Sequence, residues 1–101
     1  MRIIAKKTLK EYWVKNPSCE FPLLDWYYTV QKSDWNNPNQ VKQTFGNASI
    51  VANNRVVFNI KGNLHRLVTQ IDYSFKIVFI IWIGSHKAYD LIDVTKIEYN
   101  G

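Results

Sequence analysis

The chain has 101 residues, long enough for one domain over 1–101 and too short for two ordinary ones. Hydrophobic residues make up 47% and aromatics 15%, which excludes general disorder and makes Trp, Tyr and Phe the main source of buried area. With 13 Lys and Arg against 8 Asp and Glu the formal net charge is +5, a surplus that favours polyanionic partners such as nucleic acid, the ribosome, an anionic membrane or an acidic protein.

The single cysteine, Cys19, cannot form an internal disulfide, so nothing calls for an oxidising compartment. Two histidines leave no Cys/His cluster for structural zinc, and a helix-end residue is a plainer reading of Cys19 than a nucleophile. The start, Met1 to Lys7, lacks the long apolar stretch of a signal peptide. The longest apolar run, Ile77 to Ile83, is too short to cross a bilayer and reads as a buried strand. These features point to a soluble, cytoplasmic protein with no membrane partner.

In chain order, Met1 to Ala5 is a short β-type run. Thr8-Leu9-Lys10-Glu11 fits a capping box that opens a helix carrying Leu9, Tyr12 and Trp13 on one side. That helix stops near Asn16-Pro17, because the residue before proline avoids helical geometry. A second helix is expected from about Glu20 to Lys32, with Pro22 tolerated in its first turn and Leu23, Leu24, Tyr27 and Val30 at helical spacing. Asn37 before Pro38 caps a short helix through Phe45, ended by Gly46. No linker, low-complexity segment or internal repeat interrupts the chain.

From Arg55 the pattern changes to strands. Val56 to Ile60 and Leu67 to Ile71 are apolar, β-prone runs, and Gly62-Asn63 between them is a two-residue hairpin signal. Ser74-Phe75-Lys76 is a second turn, and Ile77 to Ile83 is apolar on both faces, as an interior strand requires. After Gly84 a short helix and an irregular end are expected. The outline is β-α-α-β-β-β, an α+β domain with helices packed on one face of a mostly antiparallel sheet.

With Gly62 and Asn63 as loop residues, Lys61 pairs with Leu64, Asn59 with Arg66, Val57 with Val68 and Arg55 with Gln70. Val56, Phe58, Ile60, Leu67 and Ile71 then point toward the helices, and Arg55, Asn59, Lys61, Arg66 and Gln70 point away. A slip of one residue would bury Arg55 and Lys61, so the apolar pattern fixes the register. Any sheet covered on one side has a polar face, so three cations and two amides there are not in themselves a site.

A second group follows the strand that Gly84 ends. In Gly84-Ser85-His86-Lys87-Ala88-Tyr89-Asp90, His86 exchanges a proton near neutral pH and Tyr89 donates one or stacks on a base. The plainer alternative is a surface histidine and a packing tyrosine. His65 falls on the core-facing side of the register and reads as a satisfied, partly buried histidine.

The chain has no phosphate-cradling Gly-rich loop, no Gly-x-Ser-x-Gly elbow and no His-Glu-x-x-His. No carboxylate cluster offers a seat for a catalytic divalent metal, and no cofactor is expected. A basic face with His and Tyr suffices for RNA cleavage by its own 2′-hydroxyl. That reaction needs a base for the hydroxyl, cations for charge growing on the phosphate and an acid for the departing 5′-oxygen.

Several blocks of the chain resemble HigB-type toxins of the RelE/ParE superfamily. These are Met1 to Lys6, Asp34-Trp35, Asn54 to Asn63 with Arg66-Leu67-Val68, and Phe79 to Asp93 with its Gly84-Ser85-His86-Lys87-Ala88-Tyr89-Asp90 core. Leu64-His65 stand where the family pattern has a basic-aromatic pair, and Ser85 where it has threonine. The resemblance implies a RelE-like fold and cleavage of mRNA in the ribosomal A site. It also implies neutralisation by a helix-turn-helix antitoxin of the HigA type, with operator DNA contacted only through that antitoxin.

Residues and resemblance together give expected roles. Arg66 and Arg55 hold the scissile phosphate and stabilise its extra charge, and Lys61 binds backbone phosphate or helps deprotonate the 2′-hydroxyl. His86 serves as base or acid, and Tyr89 as proton donor or stacking platform. Asn59, Lys87 and Lys76 complete the RNA contacts, with no metal. The alternatives are a ParE-like, non-cleaving inhibitor of gyrase and an RNA-binding module without catalysis.

Overall fold

A computed structural model of the chain describes residues 1–99. The elements are β1 (Arg2–Ile4), α1 (Lys6–Lys15), α2 (Glu20–Lys32), α3 (Pro38–Thr44), β2 (Ser49–Val51), β3 (Arg55–Ile60), β4 (His65–Asp72), β5 (Ile77–Ser85) and α4 (His86–Tyr89), with a 3₁₀ turn at Pro17–Cys19 between the first two helices. One sheet runs in the order β1-β5-β4-β3-β2. Only β1 and β5 pair in parallel; the other three ladders are antiparallel. This is the expected α+β architecture.

The helices cover one face of that sheet. Leu9 of α1 and Leu23, Trp26 and Val30 of α2 are buried against Val56, Phe58, Ile60, Leu67, Ile71, Val78 and Ile80. Phe58 sits at the centre of an aromatic cluster, with ring centroids 5.3 Å from Trp26 and 5.1 Å from Phe45. α2 has the predicted bounds, because the Pro17 turn precedes it and its last turn ends at extended Ser33. Asn37 caps α3 by accepting from the Gln40 amide at 3.0 Å.

Two local expectations are corrected. The capping box does not form: α1 starts two residues before Thr8, with Ala5 as its N-cap and no side-chain cap bond. β1 pairs with β5 up to Ile4, so the chain turns into the helix at once, and the Glu11 carboxylate lies 3.7 Å from Lys7 instead. β2 was not foreseen. Three residues at a sheet edge are too short to show alternation, and the hairpin to β3 is made by the left-handed pair Asn53 (φ 64°) and Asn54 (φ 60°).

The β3–β4 register is as derived: Asn59 faces Arg66, Val57 faces Val68 and Arg55 faces Gln70. The turn differs. Ile60–His65 is the last ladder pair, and the left-handed residues are Lys61 (φ 53°) and Gly62 (φ 66°), one position earlier than expected.

Between β4 and β5 the ladder jumps from Val68–Trp82 to Thr69–Ile80, leaving Ile81 as a bulge. Strict alternation would put Val78, Ile80 and Trp82 on one face. The bulge sends Val78 and Ile80 into the helix-side core and Trp82 to the opposite face, beside Val68.

That opposite face is not open throughout. The segment after α4 crosses it, with Thr95 accepting from Asn53 at 3.3 Å and the Tyr99 ring 5.3 Å from Phe79. On this face Val57 and Val68 are buried although they point away from the helices.

Candidate nucleic-acid-cleaving site

The open part of the strap-side face lies at the β3–β4 turn, where β5 passes into α4. Ser85 caps α4 by accepting from the Ala88 amide at 3.1 Å, and the His86 amide donates to the Leu64 carbonyl at 2.9 Å. The first bond starts the helix and the second ties it to the turn. His86, Ser85, Lys87 and Asp90 then line a cleft of about 490 Å³ whose other wall is Asn63 and Leu64.

Arg66 stands next to this cleft. Its Nη1 donates to the Asn63 carbonyl at 3.1 Å and the His65 carbonyl at 3.3 Å, and its Nη2 donates to Asn63 Oδ1 at 2.5 Å. Its guanidinium lies 6.0 Å from the centre of the Tyr89 ring, within cation–π range. Arg66 and Tyr89 thus come together, and His86 stands three residues before Tyr89 on α4, in the wall of the cleft. Asn59, directly across from Arg66, is half-buried on the same face, and Lys87 is exposed on α4 at the edge of the cleft.

The other three cations lie elsewhere. Arg55 was expected on an open face and is buried: its Nε donates to the Ile97 carbonyl at 3.1 Å, its Nη2 bonds the same oxygen, and its Nη1 reaches the Asn53 carbonyl at 3.3 Å. It is also four residues from Asn59 along β3, roughly 13 Å. The recess of about 560 Å³ beside it is walled by the strap and includes the carboxylate of Glu98.

Lys76 occupies the β4–β5 turn, at the far end of β4 and roughly 23 Å from the cleft. It pairs with Asp34 at 2.9 Å and donates to the Trp35 carbonyl at 2.9 Å. These partners give it a structural task that the sequence pattern did not show.

Lys61 sits in the turn rather than in β3, so strand alternation does not set its direction. Its charge acts on the helix-facing side: it adds to the lowering of the His65 pKa, which burial dominates, and it offsets part of the rise that burial causes in the Cys19 thiol. His65 is a satisfied, core-side histidine as expected, its Nδ1 sharing a 2.6 Å hydrogen bond with the Tyr12 hydroxyl.

Sequence reasoning missed three neighbours. Asp90 Oδ2 lies 3.6 Å from His86 Nε2, an i,i+4 contact that helical spacing would have given. Asn63 was read only as a turn residue and is the group that fixes Arg66. Trp82 joins Tyr89 at 6.2 Å, and nothing in the alternation pattern foretold the bulge that turns it there. Among the described residues no group of three or more His, Cys, Asp or Glu side chains is placed to hold a metal ion, and no helix is long and apolar enough to cross a membrane.

Fold and site define a small basic α+β domain that presents an arginine, an imidazole and a phenol at the rim of its sheet. The chain belongs to the HigB toxin family, described as the RelE-like toxic component of a toxin-antitoxin system, whose family model matches residues 19–92. It is also 27% identical over 92 residues, 89% of each chain, to a protein of Escherichia coli O6:H1 strain CFT073 named mRNA interferase HigB. Family membership makes an antitoxin the expected protein partner.

Proposed function

We propose that the chain is an mRNA interferase, an endoribonuclease that cuts message through the RNA's own 2′-hydroxyl and so inhibits translation. The observation that carries this reading is the Arg66 guanidinium held 6.0 Å from the Tyr89 ring, with His86 three residues before Tyr89 on a helix tied to the same turn. The name of the Escherichia coli relative supports the same activity.

Arg66 holds the scissile phosphate and stabilises the charge that builds on it. His86, beside Asp90, takes or returns a proton during cleavage, and Tyr89 supplies the second proton-transfer group. Asn59 and Lys87 flank the path of the RNA, and Lys61 at the turn tip contacts phosphate further out. Arg55 and Lys76, engaged with main-chain carbonyls, stay outside this assignment.

The reaction takes place on the ribosome, in the A site and hence in the cytoplasm. A helix-turn-helix antitoxin of the HigA type neutralises the toxin, and the pair reaches operator DNA through the antitoxin.

The test is purified protein with translating ribosomes and a defined message. Cuts within codons that leave a 2′,3′-cyclic phosphate, and that vanish when the scissile nucleotide is 2′-deoxy, are the expected result. Uncut message together with double-strand DNA breaks in expressing cells would favour a gyrase poison. Binding of message without any cut would leave only an RNA-binding module.

A further inference from the structure

Trp82 is the one tryptophan of β5, and the bulge at Ile81 puts it on the site face. Trp26 and Trp35 are each 3% exposed in the helix-side core, whereas Trp82 points the opposite way and is half-buried. Its indole lies along the strand over Gly84. A Cβ at Gly84 would stand 2.5 Å from Cη2 and 2.6 Å from Cζ2 of that ring, so only glycine lets the ring lie there. Gly84 is the β5 partner of Arg66, which places the ring next to the guanidinium. The Tyr89 ring lies beside it, centroids 6.2 Å apart and planes inclined at 50°.

A partly exposed aromatic ring beside a phosphate-binding cation suits a single-stranded nucleic acid. The cation takes the backbone, and the π-face takes an unpaired base without reading its edge. We propose that Trp82 is a base-stacking platform, gripping the unpaired RNA base next to the phosphate at Arg66. This rests on the reading of the site as an RNA-cleaving centre. Trp82 would thereby set the register of the message against His86 and Tyr89 without acting on protons itself.

The test uses short single-stranded RNA, fully 2′-O-methylated against self-cleavage, with 2-aminopurine moved along it position by position. One position is quenched on binding to the wild-type chain and to Trp82→Phe. Trp82→Leu loses that quench and binds about tenfold more weakly. Removing the same base, to leave an abasic nucleotide, weakens wild-type binding by a similar factor and leaves Trp82→Leu unaffected.

Equal binding of intact and abasic RNA by the wild type at every position overturns the platform, even if Trp82→Leu fails to fold. A wild-type chain that cuts ribosome-bound message yet shows that equality loses the platform alone. A wild-type chain that neither binds RNA nor cuts message loses the nuclease reading and the platform with it.

Discussion

Arg55 Nε donates to the carbonyl of Ile97 at 3.1 Å, joining the middle of the sheet to a segment 42 residues later. The cation is thereby a structural rivet, holding the strap against β3. Arg55→Ala leaves buried acceptors unpaired and should cost about 1–3 kcal/mol. In a domain of this size each kcal/mol lowers Tm by roughly 4–8 °C. A urea or thermal melt should show that loss, with cleavage per folded molecule kept within a few-fold. A catalytic loss at unchanged stability would return Arg55 to the site.

Arg66 should behave in the opposite way. Its bonds are to one exposed turn, so Arg66→Ala should change stability by no more than about 1 kcal/mol. Cleavage should fall about 10²–10³-fold, the usual loss on removing one donor to a developing oxyanion. Cell toxicity should vanish with it and drop strongly in His86→Ala. Wild-type toxicity in both variants would refute the site.

His65 gives the fold a pH dependence of known sign. Burial, and then the Lys61 charge, lower its pKa below the usual value of about 6.5. The folded state binds the proton more weakly than the unfolded chain, so this contribution is complete above about pH 6.5 and is lost as pH falls below it. Urea midpoints near pH 7.5 and pH 5.5 should differ more in the wild type than in His65→Gln. The two lowered carboxyls, Asp34 bonded to Lys76 and Asp93 bonded to Thr95, act in a separate window below about pH 4. An identical pH response in His65→Gln would remove the histidine from this account.

Gly84→Ala would push a methyl into the Trp82 ring and should cost about 1–3 kcal/mol, as overpacking does. Adding Trp82→Leu to the same chain should recover most of that loss. Chemical denaturation of the two variants decides it: a double variant no more stable than Gly84→Ala would mean that the clash lies elsewhere.

Much of this molecule follows from its sequence. The β3–β4 register could be derived because Val56, Phe58, Ile60, Leu67 and Ile71 are apolar at period two, and a one-residue slip would bury Arg55 and Lys61 instead. α2 and the Asn37 cap were legible because proline and capping side chains act within a few residues.

The fate of the remaining cations was decided only by the folded chain. Arg55 meets Ile97, and Lys76 meets Asp34 and Trp35, across separations of about forty residues that no local pattern encodes. Lys61 left the alternation because its backbone is left-handed. Trp82 reached the site face because a bulge relieved a strand apolar on both sides, where hydrophobicity cannot choose a face. Periodicity says which face a residue takes when one face is wet; where both are covered, the partners that arrive from elsewhere in the chain make the choice.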